Sequence, residues 1–328
     1  MHDHILAAAK NLNILIIGDV MIDRYLSGKV NRISPEAPVP VVSLKERDDR
    51  MGGAGNVALN IAALGATPIL CSIIGADDNG QKLKHLLQQK NITTAGIILS
   101  KQRKTTVKTR VLANNQQLLR VDDEDTFPLP AKEEQALLEK VKSIITSQKI
   151  SAIIFQDYNK GVLTGNVISN CIQIANTHKI PTIVDPKFHN FWAYKSVTLF
   201  KPNLKEIRQS VPFTVKATES DLKKAAKYVR SQLGNPITLI TLSEKGLYID
   251  QEDDTQAIFP TQTKKIVDVC GAGDSVISIV AIGIALGLPL STIALLANWA
   301  GGQVCEAPGV VSIDLEKLNN SSSDFLKK

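Results

Sequence analysis

The chain has 328 residues, 44% of them hydrophobic and 21% charged, an ordinary globular composition long enough to bury a full core. Disorder, collagen-like repeats and a mini-fold dependent on disulfides are thereby excluded. The net charge of +6 is mild and scattered, with one loose basic cluster at Lys101, Arg103, Lys104, Lys108 and Arg110. An acidic small-molecule substrate would explain the same charges as a nucleic acid, and composition alone does not choose between them. No nucleic-acid partner is expected, because a nucleic-acid footprint is typically a basic face with a reading motif.

The elements alternate in strand–helix order. The N-terminal residues lack a secretory pattern because Lys10, Asn11 and Asn13 interrupt the apolar run. Residues 13–17 then form a short apolar run ending in Gly18-Asp19, the pattern of a buried strand meeting a loop. A helix is expected over 57–64, a strand over 68–74 and a helix over 80–90. Further strands are expected at 151–155, 182–184, 197–200 and 237–242, with helix-period segments at 132–145, 167–178 and 220–233. No charge occurs from Ser275 to Cys305, but Gly287-Leu288-Pro289 interrupts that stretch. It reads as two buried helices joined by a turn, with no membrane insertion. This order predicts an α/β fold, a mostly parallel central sheet with helices on both faces. Two stretches, about 25–44 and 105–121, break the alternation as paired strands and are expected to form a small β-strand lid over the ligand edge of one domain spanning 1–328. The cysteines, Cys71, Cys171, Cys270 and Cys305, show neither C-x-x-C nor zinc spacing, which fits a reduced, cytoplasmic compartment. A polar tail follows from Asn319.

The strongest chemical signal is Asp268-Val269-Cys270-Gly271-Ala272-Gly273-Asp274, leading into the uncharged helix. Glycines at a first helical turn let backbone N–H groups approach an anion, and the helix dipole adds roughly half a positive charge there. Gly271, Ala272 and Gly273 are therefore the expected anion hole for a phosphoryl group in flight, with Asp274 beside them to take the proton of an attacking hydroxyl. A second glycine turn, Gly52-Gly53-Ala54-Gly55-Asn56, matches the dinucleotide fingerprint as Gly53-x-Gly55-x-x-Ala58. That fingerprint needs a strand running straight into the turn, and the charged run Lys45–Arg50 argues against one. A nicotinamide dehydrogenase is thus the weaker reading, and the absence of G-x-x-x-x-G-K-[ST] excludes a P-loop nucleotidase.

The two glycine motifs, Gly52–Asn56 and Gly271–Asp274, resemble the paired signatures of the ribokinase-like (PfkB) carbohydrate kinases, over about residues 14–315. Gly18–Tyr25, Arg32–Val41, Asn114–Leu118, Asp157–Gly161 and Asp185-Pro186-Lys187 resemble more closely the branch of that family that acts on heptose 7-phosphate. Kinases of that branch are often fused to a nucleotidyltransferase; no H-x-G-H occurs here, and the chain reads as the kinase domain alone. The resemblance implies a ribokinase-like fold. It implies transfer of the ATP γ-phosphoryl to the anomeric hydroxyl of D-glycero-β-D-manno-heptose 7-phosphate, toward ADP-heptose and lipopolysaccharide core. Asp274 becomes the catalytic base, and Asp19, Asp23, Gly53 and Asn56 match positions that hydrogen-bond sugar hydroxyls. Asn203 and Glu206 match an N-x-x-E motif that orders Mg²⁺ and the ATP phosphates through water, although by themselves they read as a helix cap and a first-turn acid. Ser243, Gly246 and Asn298 sit where the family lines its nucleotide pocket. Arg110, Lys160 and Lys187 are the candidate cations for the sugar's own phosphate. Two departures leave K⁺ activation open: Cys270 replaces the usual Thr or Ser, and Glu306-Ala307-Pro308-Gly309 replaces a Gly-Lys-Leu-Gly type of segment. Another sugar kinase of the family, or a non-catalytic sugar-binding regulator, are the alternative readings. The lid strands offer edges for a homodimer.

Overall fold

The computed structural model describes residues 8–114, 116–252, 256–261 and 266–318. The first seven residues, Asn115 and the polar tail from Asn319 lie outside the described residues. In β1 (Asn13–Gly18) the side chains alternate between two cores: Ile14 and Ile16 enter one, Leu15 and Ile17 the other, and all four are fully buried. Such a strand has no polar face because helices cover both sides of its sheet.

The chain continues through β2 (Val20–Ile33), β3 (Pro40–Gly53), α1 (Ala54–Ala63), β4 (Thr67–Gly75), α2 (Asp78–Gln89), β5 (Ile97–Ser100), β6 (Val107–Ala113) and β7 (Gln116–Asp123). It then alternates through α3 (Ala131–Ser147), β8 (Ala152–Gln156), α4 (Gly165–Thr177), β9 (Thr182–Asp185), β10 (Leu199–Phe200), α5 (Leu204–Ser210), α6 (Glu219–Leu233) and β11 (Ile237–Thr241). A hairpin of β12 (Leu247–Gln251) and β13 (Gln256–Phe259) precedes α7 (Ala272–Ala285) and α8 (Leu290–Cys305).

Among the described residues the main sheet has nine strands in the order β13-β12-β11-β10-β9-β8-β1-β4-β5, parallel from β5 to β11 with the antiparallel hairpin at one edge. Helices α1, α2, α7 and α8 cover one face, and α3, α4 and α6 the other. β1 lies between β4 and β8, so the chain reverses its direction of growth across the sheet at β1/β8. In open α/β sheets, ligands bind in the crevice outside the carboxyl ends of the strands at such a point. Gly18 at the end of β1 lies against the Gln156 carbonyl at the end of β8, where a Cβ would clash with backbone. Among the described residues no helix is long and apolar enough to cross a membrane; α7 and α8, of 14 and 16 residues, are separate.

A second sheet, with four strands among the described residues in the order β3-β2-β6-β7, rises from the end of β1. It is longer than the sequence pattern indicates. β3 runs through the charged stretch Lys45–Arg50 to Gly53 and leads directly into α1, contrary to the sequence-based expectation. A ribbon with one face in solvent needs no apolar run, and its charges pair with one another, Arg24 and the exposed Arg47 with the buried Asp49 carboxylate and Arg50 with Asp48. The strand before the glycine turn therefore exists, yet it pairs antiparallel with β2, so the turn is not that of a parallel βαβ dinucleotide unit.

Candidate active site

Polar residues stand at the carboxyl ends of consecutive parallel strands: Asp19 after β1, Gln156 at the end of β8, Asp185 at the end of β9 and Lys201 after β10. Above them α7 begins at Gly271, whose φ of 83° is the left-handed conformation that glycine adopts without strain. The Ser275 N–H donates to the Gly271 carbonyl at 3.0 Å and the Ala272 N–H to the Val269 carbonyl at 3.4 Å, which among the described residues leaves the Gly273 and Asp274 N–H groups of the first turn directed ahead of the helix. Gly273 keeps that turn open: a Cβ there would lie 3.7 Å from Asp185 Oδ2 and 3.9 Å from Lys201 Nζ. Lys201 is 2% exposed and pairs with Asp185 Oδ1 at 3.1 Å, so a buried ammonium faces the expected anion hole.

Asp274, the third residue of α7, is 4% exposed. Its Oδ2 accepts from Asn56 Nδ2 at 2.7 Å, and its Oδ1 from Gln156 Nε2 at 3.0 Å and the Tyr158 hydroxyl at 2.9 Å. Burial, reinforced by the nearby Asp185 charge, pushes this carboxyl up to about 6, while the Asn56 and Tyr158 donors and Lys201 oppose the rise. A carboxylate poised near neutrality beside a helix N-terminus suits a general base.

A cavity of about 520 Å³ opens from the Ala272–Gly273 turn. Leu247, Val276 and Ala297 form apolar wall, while Lys187, Lys201, Asn203 and Tyr158 line its polar end. Asn203 and Glu206 form a capping box on α5: Asn203 Oδ1 accepts from the Glu206 N–H and Glu206 Oε2 from the Asn203 N–H, both at 2.8 Å. The other Glu206 oxygen pairs with Lys187 Nζ at 2.7 Å. Both Glu206 oxygens are thus engaged, an arrangement suited to holding a hydrated cation through water rather than ligating it directly. Burial alone would lower the Lys187 ammonium, but Asp185 and Glu206 outweigh it and raise it, so it stays charged. Ser243 and Gly246 also line the cavity, in a turn where both have positive φ, and Asn298 ties α8 to the Phe259 and Pro260 carbonyls at 2.9 and 2.8 Å.

The remaining candidates gather on the small-sheet side. Asp23, 5% exposed, is ion-paired with Arg110, whose guanidinium also lies over the Tyr25 ring. Gly53 has a φ of 59° and packs its α-carbon against the Asp19 carbonyl. Asp19 accepts backbone N–H bonds from Tyr158, Lys160 and Val162 at 2.8, 3.1 and 3.1 Å, so in this structure its carboxylate pins the 158–162 loop. Lys160 Nζ pairs with Glu124 at 2.6 Å, a carboxylate it shares with Lys108. The sequence reading grouped Lys187 with Lys160 and Arg110; the structure separates it, in the cavity beside Glu206. Cys270 donates its N–H to Asp268 Oδ1 at 3.0 Å, and burial with the Asp268 charge pushes its thiol up to about 11. Gly309 donates to the other Asp268 oxygen at 2.9 Å, and Arg50 donates to the Pro308 and Val310 carbonyls at 3.3 and 3.0 Å.

Sequence reasoning did not single out Gln156, Lys201 or Asp185 as individual site residues. The available signal was positional: each is a polar residue at the end of a parallel apolar strand, where open α/β sheets place ligands.

A buried carboxylate with a raised pKa, a glycine-led helix terminus and a cavity at a sheet switch point fit an α/β phosphotransferase of the ribokinase-like fold. Comparison narrows this. The model of the pfkB family carbohydrate kinases matches residues 11–318, and the chain belongs to that family, whose members phosphorylate a sugar hydroxyl. The bifunctional protein HldE of Syntrophotalea carbinolica is 36% identical over 97% of this chain and 64% of its own length. HldE of Citrifermentans bemidjiense is 40% identical over 90% of this chain and 60% of its own. The chain thus spans somewhat under two thirds of these relatives. Among solved structures, Escherichia coli phosphofructokinase-2 in complex with potassium superposes with a TM-score of 0.81 at 19% identity, covering 97% of this chain and 99% of that one. Arabidopsis thaliana ribokinase complexed with ribose and ATP gives 0.73 at 16% identity, covering 94% and 97%. These two likenesses establish the fold.

Proposed function

We propose that the chain transfers the γ-phosphoryl of ATP to the anomeric hydroxyl of a heptose 7-phosphate, D-glycero-β-D-manno-heptose 7-phosphate, in the cytoplasm and toward the lipopolysaccharide core. The observation that carries a kinase reaction is Asp274, buried and held by three donors in the first turn of α7, beside the Gly271–Gly273 turn and the cavity. The heptose phosphate as acceptor is supported by the HldE relatives at 36–40% identity and by the motifs Gly18–Tyr25, Arg32–Val41 and Asp157–Gly161.

In this reading the adenine lies against Leu247, Val276 and Ala297, with Ser243, Gly246 and Asn298 shaping the same pocket, and the phosphates extend toward Lys187 and Lys201. Lys187 accordingly serves the nucleotide phosphates rather than the sugar phosphate, for which Arg110 and Lys160 remain the candidates. Asp23 and Asn56 face the sugar hydroxyls, while Asp19 and Gly53 hold the backbone around them. Glu206 holds Mg²⁺ through water; the ion, when bound, neutralises phosphate charge. The first-turn N–H groups and Lys201 stabilise the charge developing on the transferred phosphoryl group, and Asp274 accepts the hydroxyl proton. The small sheet covers the acceptor as a lid within one domain. Ile33, Leu44, Leu119 and Val121 are about half exposed on it, and β3 and β7 are its open edges, which supports a homodimer formed through this sheet.

The test is ADP release from Mg-ATP with heptose 7-phosphate, ribose, fructose and fructose 6-phosphate, with the product located by phosphorus NMR. Preference for the heptose phosphate, phosphorylated at carbon one, is expected. Preference for another sugar would retain the kinase and overturn the acceptor, and binding without turnover would leave a sugar-binding regulator.

A further inference from the structure

The carboxylate of Asp274 is held unevenly. Among the described residues, Oδ1 accepts two hydrogen bonds, from the Gln156 amide and the Tyr158 hydroxyl, whereas Oδ2 accepts one, from Asn56. A carboxylate oxygen offers two lone pairs, so Oδ1 is saturated and Oδ2 keeps one free. The two donors on Oδ1 are themselves fixed. Gln156 Nε2 also reaches Asp185 Oδ2 at 3.2 Å. Tyr158 sits on the loop that Asp19 pins through three N–H groups, and its ring carries Lys187 Nζ at 5.4 Å from the centroid.

We propose that Tyr158 and Gln156 are positioning residues that saturate Oδ1 of Asp274, so that Oδ2 is the atom that takes the proton of the attacking sugar hydroxyl. This rests on reading Asp274 as the base. The hydroxyl O–H bond breaks and its proton passes to Oδ2. The freed electron pair forms the bond to the γ-phosphorus as the bond from phosphorus to the β–γ bridging oxygen breaks, with that pair leaving on ADP.

The arrangement has a consequence in pH. The groups facing the carboxylate are Asn56 from α1, Gln156 and Tyr158 from the end of β8, Asp185 from β9, Lys187 beyond it and Lys201 after β10. Burial and Asp185 favour the neutral acid; the donors and the two ammonium groups favour the ion. Removing the Tyr158 hydroxyl strips a donor from the ion and raises the carboxyl, so the acid limb of kcat moves to higher pH.

The experiment measures kcat and KM against pH for Tyr158→Phe and Gln156→Met, on whichever sugar the wild-type chain turns over, with Asp274→Asn alongside. For Tyr158→Phe the acid limb should rise by about one pH unit, with kcat about fivefold lower at pH 6 and less than about twofold lower at pH 8. KM for ATP should stay within about twofold, because an interaction with the base alone leaves substrate binding intact. A carboxyl-stretch infrared titration, wild type minus Asp274→Asn, reads the same shift without turnover and serves if either variant is too slow to assay. An unshifted limb, a pH-independent loss, or a raised KM at unchanged kcat would reduce Tyr158 to a cavity wall and overturn the proposal. Normal turnover by Asp274→Asn would instead overturn the base, whereas an inactive Asp274→Asn beside an unshifted Tyr158→Phe overturns the positioning alone. If Tyr158→Phe does not fold, Gln156→Met decides by the same shift.

Discussion

Two helices of this molecule start in the same way and do different work. α1 follows Gly53 and α7 follows Gly271, both with positive φ, and the third residue of each, Asn56 and Asp274, meets the other at 2.7 Å. At Gly52 and Gly53 an added Cβ would run into the Asp23 carboxylate and the Asp19 carbonyl. Those glycines serve close packing of the small sheet against the core. At Gly271 the nearest atom would be Asn56 Nδ2 at 3.1 Å, and at Gly273 the nearest are the Asp185 carboxylate and Lys201 ammonium at ordinary contact distance. A glycine-led helix start is therefore not in itself an anion site. What its N–H groups face decides, and only α7 faces a buried ammonium and a cavity.

The largest effect that tests this contrast is at Asp274. Asp274→Asn should lower turnover by about 10²–10³ or more, measured as single-turnover ADP formation, while nucleotide and sugar still bind. The variant should fold, because Asn56 can turn its Oδ1, which has no partner among the described residues, toward the new amide. In the wild type, turnover should fall as pH drops through about 6, since Asp274 in its proposed role acts as its ion and protonation of the raised carboxyl removes it. A flat profile from pH 5 to 8 would detach Asp274 from the rate. Next comes Gly53→Ala, which combines left-handed backbone with a clash against main chain and should cost about 1–3 kcal/mol in urea unfolding, the loss in activity following the loss of fold. Gly273→Ala should do the opposite. It lies inside the helix with no close atom, so unfolding should be unchanged or up to about 1 kcal/mol more favourable to the native state, while turnover drops about tenfold as the methyl crowds the anion turn. Equal losses of stability in the two glycine variants would erase the distinction.

Much of the fold was legible along the chain. The apolar runs of β1, β4, β8, β9 and β11 declare a buried parallel sheet, and the uncharged stretch broken at Gly287-Leu288-Pro289 declares α7 and α8. The parts that escaped had patterns their surroundings override. β3 is charged through residues 45–50 because it lies on a solvated ribbon. β5 is a four-residue edge strand, too short for a period to show. β12 ends its apolar run at Asp250, fully buried yet paired with Arg230 and the Tyr248 hydroxyl. In the site, Asp274 and its glycines were readable from local chemistry. Gln156, Asp185 and Lys201 were not, since a single polar residue after a short strand looks like the start of any loop.

The sequence by itself determined what depends on near neighbours: strand and helix periods, the glycine turn ahead of α7, and the Asn203–Glu206 capping box, whose partners are three residues apart. Tertiary structure alone decided which groups surround the Asp274 carboxylate. Asn56 and Asp274 stand 218 positions apart, and Gln156 and Asp274 stand 118 apart. They meet because the strand order reverses beside β1 and brings the ends of β1 and β8 under the first turn of α7. The raised carboxyl at Asp274 has the same origin, because burial and the Asp185 charge exist there only once those distant elements have closed over it.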